Sequence, residues 1–166
     1  MKYYLAIDIG ASSGRHIIGW QEHGNIKNQE IYRFANSPDC EDGHLIWNMK
    51  RIFEEVLHGI TLAFKKYSQI ESLAIDTWGV DYVLIDDKQN ELLPCYCYRD
   101  IRTESVIEEV HRKIPFETLY AHTGIQHQSF NTIYQLYADR QNGRLEKATT
   151  FFDAARISKL SAHRHC

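Results

Sequence analysis

The stretch YLAIDIGASSGRHIIGW, residues 4–20, sets two apolar runs on either side of a loop of Gly, Ala and Ser. The first run reads as a strand that ends on Asp8; the second opens with Gly14 and Arg15. Gly10, Ala11, Ser12, Ser13 and Gly14 can offer successive N–H groups and two hydroxyls, which is the chemistry of a phosphate cradle, and Arg15 adds a cation. A short Gly and Ser loop between two strands is equally what a plain hairpin needs. No helix N-terminus follows, so the loop is neither a Walker loop nor a dinucleotide fingerprint. On these residues alone both readings stand.

A second stretch, LAIDTWGVDY at residues 73–82, repeats the pattern. Both run Leu-Ala-Ile-Asp, reach a Gly and start another strand. Each is expected to place an Asp, Asp8 or Asp76, at the end of a buried strand. A carboxylate there needs an ion pair, hydrogen bonds or a metal. The plain alternative for the second turn is a bulged strand with an exposed Trp.

Around these turns the pattern predicts strands at 3–9, 14–22 and 26–34, with Gly24-Asn25 as a hairpin turn. SPDCEDGHLIW reads as a polar connection. Asn48 can cap a helix to about Tyr67, with Ile52, Val56, Leu57, Ile60 and Phe64 as its apolar stripe. Strands to Ile75 and from Val80 to Ile85 follow, then a turn at DDKQNE and a further strand at 92–98. Helices are expected at 101–113, 115–122 and 129–140. A meander, a helical crossover and a parallel strand make an α/β fold with a mixed sheet: an antiparallel three-strand meander plus parallel strands, flanked by helices.

The chain has 166 residues, 43% hydrophobic and 25% charged, with a net charge of −3. That is enough for a real core and offers no electrostatic footprint for nucleic acid or an anionic membrane. No apolar run reaches membrane-span length, and MKYYLAIDIG is not a signal peptide. The four cysteines fit no zinc spacing and read as reduced thiols, which with the missing signal predicts a cytoplasmic protein. His122 and His127 read as ordinary surface or core residues, and EEVHRK as a solvated helix face. Arg99 and Asp100 in YCYRD are either an ion pair at a sheet edge or polar lining of a cleft.

DIGASSGR, IDTWGVDYVLID, YRDIRT and TGIQHQSFNTIYQL, in this order, resemble the FGGY carbohydrate kinases over about residues 3–150. The resemblance implies a ribonuclease H-like, actin-like ATPase fold in two domains. It implies transfer of the ATP γ-phosphoryl to a sugar hydroxyl, with Mg²⁺ and with L-rhamnulose as the ketose. Ala11, Ser12, Ser13, Gly14 and Arg15 fall on the ATP phosphate loop, and Asp8 on the metal-linked acidic position. Gly79 falls on a sugar-contacting position, with Trp78, Asp81, Phe130 and Asn131 as weaker sugar candidates. The family's catalytic base and adenine pocket match nothing here and are expected in a missing C-terminal ATPase domain. Sugar and ATP are the implied partners; the alternative is a non-catalytic sugar- or nucleotide-binding module of the same superfamily.

From Phe152 the family pattern stops. FDAARISKLSAHRH has synonymous codons that, read one base later, spell LMLPGYLSYQLTGI and restore the pattern. A frameshift near residue 151 or 152 is therefore expected. It would leave 1–151 as an incomplete N-terminal kinase domain and 152–166 as a tail without a domain.

Overall fold

The computed structural model describes residues 1–153. Their strands are β1 (Tyr3–Ile9), β2 (Ser13–Glu22), β3 (Asn25–Ala35), β4 (Asp39–Glu41), β5 (His44–Trp47), β6 (Ile70–Thr77), β7 (Tyr82–Ile85), β8 (Glu91–Leu92), β9 (Cys95–Tyr96) and β10 (Thr150–Asp153). The helices are α1 (Met49–Lys66), α2 (Ile107–Lys113), α3 (Phe116–Thr123) and α4 (Thr132–Gln141). They fall into two compact units. One holds Met1–Pro38 and Asn48–Gly79, the other Asp39–Trp47 and Val80–Asp153. Of the expected tail, Phe152 and Asp153 end β10, and 154–166 lie outside the described residues.

The first unit is a four-stranded sheet in the order β3-β2-β1-β6. β1, β2 and β3 form the expected meander, and β6 returns parallel to β1. The two Leu-Ala-Ile-Asp segments lie side by side in register: Leu5 against Leu73, Ala6 against Ala74, Ile7 against Ile75, Asp8 against Asp76. Alternation then decides what is buried. Leu5, Ile7, Ile9, His16, Ile18 and Phe34 are buried, while Tyr4, Ala6 and Arg15 are exposed.

α1 starts where Asn48 Oδ1 accepts the Arg51 N–H, as its N-cap position predicts. Its buried residues are Ile52, Val56, Gly59 and Ala63, and Phe64 is exposed. The stripe is thus rotated from the expected one toward two small residues. The reason is His16: a Cβ on Gly59 would lie 2.3 Å from the His16 ring. That ring is fully buried and donates from Nε2 to Val56 O at 3.0 Å. Burial holds its pKa below the ordinary value.

The second unit has two three-stranded sheets, β4-β5-β9 and β10-β7-β8. β7 is buried along its whole length. Asp139, fully buried on α4, accepts from Tyr82 Oη at 2.6 Å and pairs with Arg144 at 2.7 Å and Arg102 at 3.2 Å. Removing one partner from so buried a carboxylate costs about 3–5 kcal/mol. Asp100 caps the 3-10 turn Ile101–Val106 and also accepts the Leu45 N–H at 2.7 Å. It serves the fold rather than an Arg99 pair; Arg99 donates to Tyr98 Oη. Burial pushes the Cys97 thiol up to about 11 and Cys95 also upward, so both are inert, protonated thiols.

Several boundaries differ from the sequence reading. The first hairpin turns at His23-Gly24, both with positive φ, and Asn25 begins β3. SPDCEDGHLIW contains a hairpin, β4–β5, about Asp42-Gly43, again at positive φ. The strand expected at 92–98 is only β9, with β8 ending at Leu92. The helix expected from 101 opens with six residues of 3-10 turn. β10 was not foreseen.

Candidate functional site

The loop after β1 is a tied turn. Gly10 N–H donates to Ser13 O at 2.9 Å. Asn36, at the end of β3, clamps it twice: its N–H donates to Ser12 O at 3.0 Å and its Nδ2 to Gly10 O at 2.8 Å. Asn36 is 1% exposed, and its Oδ1 has no hydrogen-bond partner. No described residue accepts from the Ala11 or Ser12 N–H. The loop therefore presents two adjacent unspent N–H groups and the exposed Ser12 on a backbone held from behind. Sequence reasoning missed Asn36; an Asn just past a strand gives no signal until the pairing is known.

At the root of the loop, Arg15 donates to Asp8 Oδ2 from Nε at 2.8 Å and from Nη2 at 2.7 Å. Neither Asp8 nor Asp76 is buried, contrary to the expectation for both. Odd-even alternation puts them with Arg15 on the sheet face away from Leu5 and Ile7, and β6 is largely exposed. Gly14 is a buried residue inside β2 rather than part of the loop tip.

A divalent cation would fit the acidic side of this turn. No described residue donates to Asp8 Oδ1. Among the described residues no three His, Cys, Asp or Glu side chains form a metal cage. Such a sparse donor set suits a hard cation carried mainly by phosphate oxygens and water.

Trp78 and Gly79 close the first unit. Trp78 is half-buried, and a Cβ on Gly79 would meet nothing within 4 Å. Val80, Asp81, Phe130 and Asn131 belong to the second unit, where one side chain gathers three of them. Gln135 Nε2 faces Phe130 O at 3.0 Å, Val80 O at 3.2 Å and Asp81 Oδ1 at 3.3 Å. Asp81 is 1% exposed, and its Oδ2 accepts from Trp47 Nε1 at 2.6 Å and the Tyr98 N–H at 3.2 Å. Its carboxylate thus faces inward and anchors three segments. Asn131 braces its own loop by donating to Gln126 O at 2.9 Å. Phe130 packs edge-on to Tyr98 at 5.7 Å, with Arg99 over the Tyr98 ring at 5.2 Å. Val80 and Asn131 also border a pocket of about 230 Å³ walled by Phe116, Leu119, Ile125 and Ile133.

Residues 3–154 match the N-terminal domain of the FGGY family of carbohydrate kinases. The chain belongs to this family. Among its FGGY relatives, the rhamnulokinase of Oceanobacillus iheyensis is 45% identical over 149 residues, which is 89% of this chain and 32% of that protein. The rhamnulokinase of Bacillus subtilis is 41% identical over 82% of this chain and 28% of its own length. The chain thus spans about a third or less of the curated relatives it matches. The xylulose kinase of Lactobacillus acidophilus superposes with a TM-score of 0.74 at 15% identity, over 91% of this chain and 31% of that one. The glycerol kinase of Plasmodium falciparum, solved with ADP, gives 0.63 at 16% identity over 88% and 30%. These likenesses show the fold, the mixed α/β arrangement of the actin-like ATPases, as the sequence motifs implied. No helix among the described residues is long and apolar enough to cross a membrane.

Proposed function

We propose that this chain is the N-terminal part of an ATP-dependent kinase that converts L-rhamnulose to L-rhamnulose 1-phosphate. The observation that carries the reading is the tied Gly10–Ser13 turn beside Asp8 and Arg15. It stands in a chain 45% identical to a rhamnulokinase. Phosphoryl transfer depends on positioning and on neutralising charge. The Ala11 and Ser12 N–H groups, the Ser12 and Ser13 hydroxyls and the Arg15 guanidinium would hold ATP phosphates, with Gly14 keeping the root of the loop narrow. Asp8 would hold Mg²⁺ through its Oδ1. When bound, the ion supplies charge neutralisation to the phosphates.

On the sugar side, Gly79 leaves room for substrate and Trp78, beside it in the first unit, offers an apolar face to sugar C–H groups. Within the second unit, Phe130 offers an apolar face of its own, and Asn131 and Asp81 hold the backbone of that unit. We assign no general base among residues 1–153, and propose that the 166-residue chain binds its ligands without turnover. Its buried thiols suit a reducing compartment, and we place it in the cytoplasm.

The test is to titrate the purified chain with MgATP and with L-rhamnulose, following backbone amide shifts, and to assay L-rhamnulose 1-phosphate by phosphorus NMR. Binding of both without product is the expected result. Product above a no-protein control would overturn the lack of turnover. No response to either ligand would overturn the kinase reading itself.

A further inference from the structure

We infer that Gln135 is a positioning residue for the substrate, setting the backbone of Val80–Asp81 and of Phe130; this rests on the sugar-kinase reading above. Gln135 is 2% exposed, and its amide cannot be turned round. Arg102, which only donates, gives Nη2–H to Oε1 at 3.2 Å, so Nε2 faces the three acceptors at Val80, Asp81 and Phe130. Two protons shared among three acceptors tie the Val80–Asp81 segment to Phe130, far from it in the chain.

Val80 supplies an independent observation. Its φ is 68°, in the left-handed region that a β-branched residue adopts only when its neighbours hold it there. Its carbonyl is the group that is held: Thr132 Oγ1 donates to it at 3.0 Å and Gln135 Nε2 at 3.2 Å. The strained residue directly follows Gly79, the assigned sugar contact. The same amide fixes the carbonyl of Phe130, the apolar face proposed for the second unit. Losing it would let Val80 relax and Phe130 drift, while the bonds that tie the loop Gly10–Ser13 come from Gly10 and Asn36 and involve neither Gln135 nor Thr132.

The test uses the 166-residue chain and compares wild type with Gln135→Met, which keeps length without hydrogen bonding, and with Thr132→Val. L-Rhamnulose and MgATP are titrated separately, below each variant's melting temperature. Gln135→Met is expected to weaken L-rhamnulose binding by about tenfold or more, and Thr132→Val by less. MgATP affinity stays within twofold in both, which a general loss of folding would not allow. Sugar affinity unchanged in a folded Gln135→Met variant overturns the inference alone. If that variant does not fold, Thr132→Val decides by the same criterion. Wild-type chain that does not bind L-rhamnulose overturns the substrate reading and this inference with it.

Discussion

Gly14 and Phe34 face each other across β2 and β3, and a Cβ on Gly14 would lie 2.1 Å from Phe34 Cζ. The glycine is required by the ring that covers it. Gly14→Ala should therefore destabilise the first unit, by about 1–3 kcal/mol in the manner of an overpacked core. Phe34→Leu in the same chain should return much of that loss. Thermal unfolding of the two single variants and the double variant checks this; strictly additive effects would remove the ring as the cause.

Asn36→Ala deletes the Nδ2 bond to Gly10 O. One net hydrogen bond is worth about 0.5–1.5 kcal/mol, so amide exchange at Gly10, whose N–H closes the turn, and at residue 36, whose N–H bonds Ser12 O, should rise by up to about tenfold. MgATP affinity should fall with it. Exchange unchanged at these two amides would show that the turn holds itself.

His16 predicts a pH dependence. An unfolded His takes up a proton near 6.5, while burial lowers the folded value. The unfolded chain therefore binds more protons as pH drops below about 6.5, and stability falls with it until the folded ring also protonates. Above that range the contribution is fully present. His16→Phe should flatten the melting-temperature profile between pH 5 and 7, roughly the range a His controls; parallel profiles for the two proteins would contradict this.

Gly79→Leu should separate binding from stability. Nothing lies within 4 Å of the added Cβ, so the melting temperature should move little. L-Rhamnulose affinity should drop by tenfold or more, roughly 1.4 kcal/mol, while MgATP affinity holds. Equal sugar affinity in the variant would remove Gly79 from the substrate contacts.

The sequence made the first sheet readable because β1, β2 and β3 are long and joined by short turns. The β4–β5 hairpin was missed although Asp42-Gly43 is a turn signal, because three- and four-residue strands carry too little periodicity. α1 was placed correctly, but its buried face was not, since the rotation follows from His16 lying beneath Gly59. Residues around both Gly turns were visible as chemistry. Asn36 and Gln135 were not: each acts through backbone carbonyls distant in sequence, and no spacing rule announces such a bond. Asp81 was visible as a carboxylate, whereas its inward aim depends on Trp47 and Tyr98.

The in-register pairing of Leu5–Asp8 with Leu73–Asp76 means that the chain contains a strand sequence that stacks on its own copy. The second copy, in β6, is the last strand of its sheet among the described residues, with its outer edge unpaired. A Leu5–Asp8 segment freed from one molecule by partial unfolding is thus already matched to the β6 edge of another. Intermolecular β-addition, growing with protein concentration, is the failure expected on heating. Its brake is charge: each added copy would set one more carboxylate about 4.8 Å above the last. High salt screens that repulsion, so aggregates should form most readily at high ionic strength.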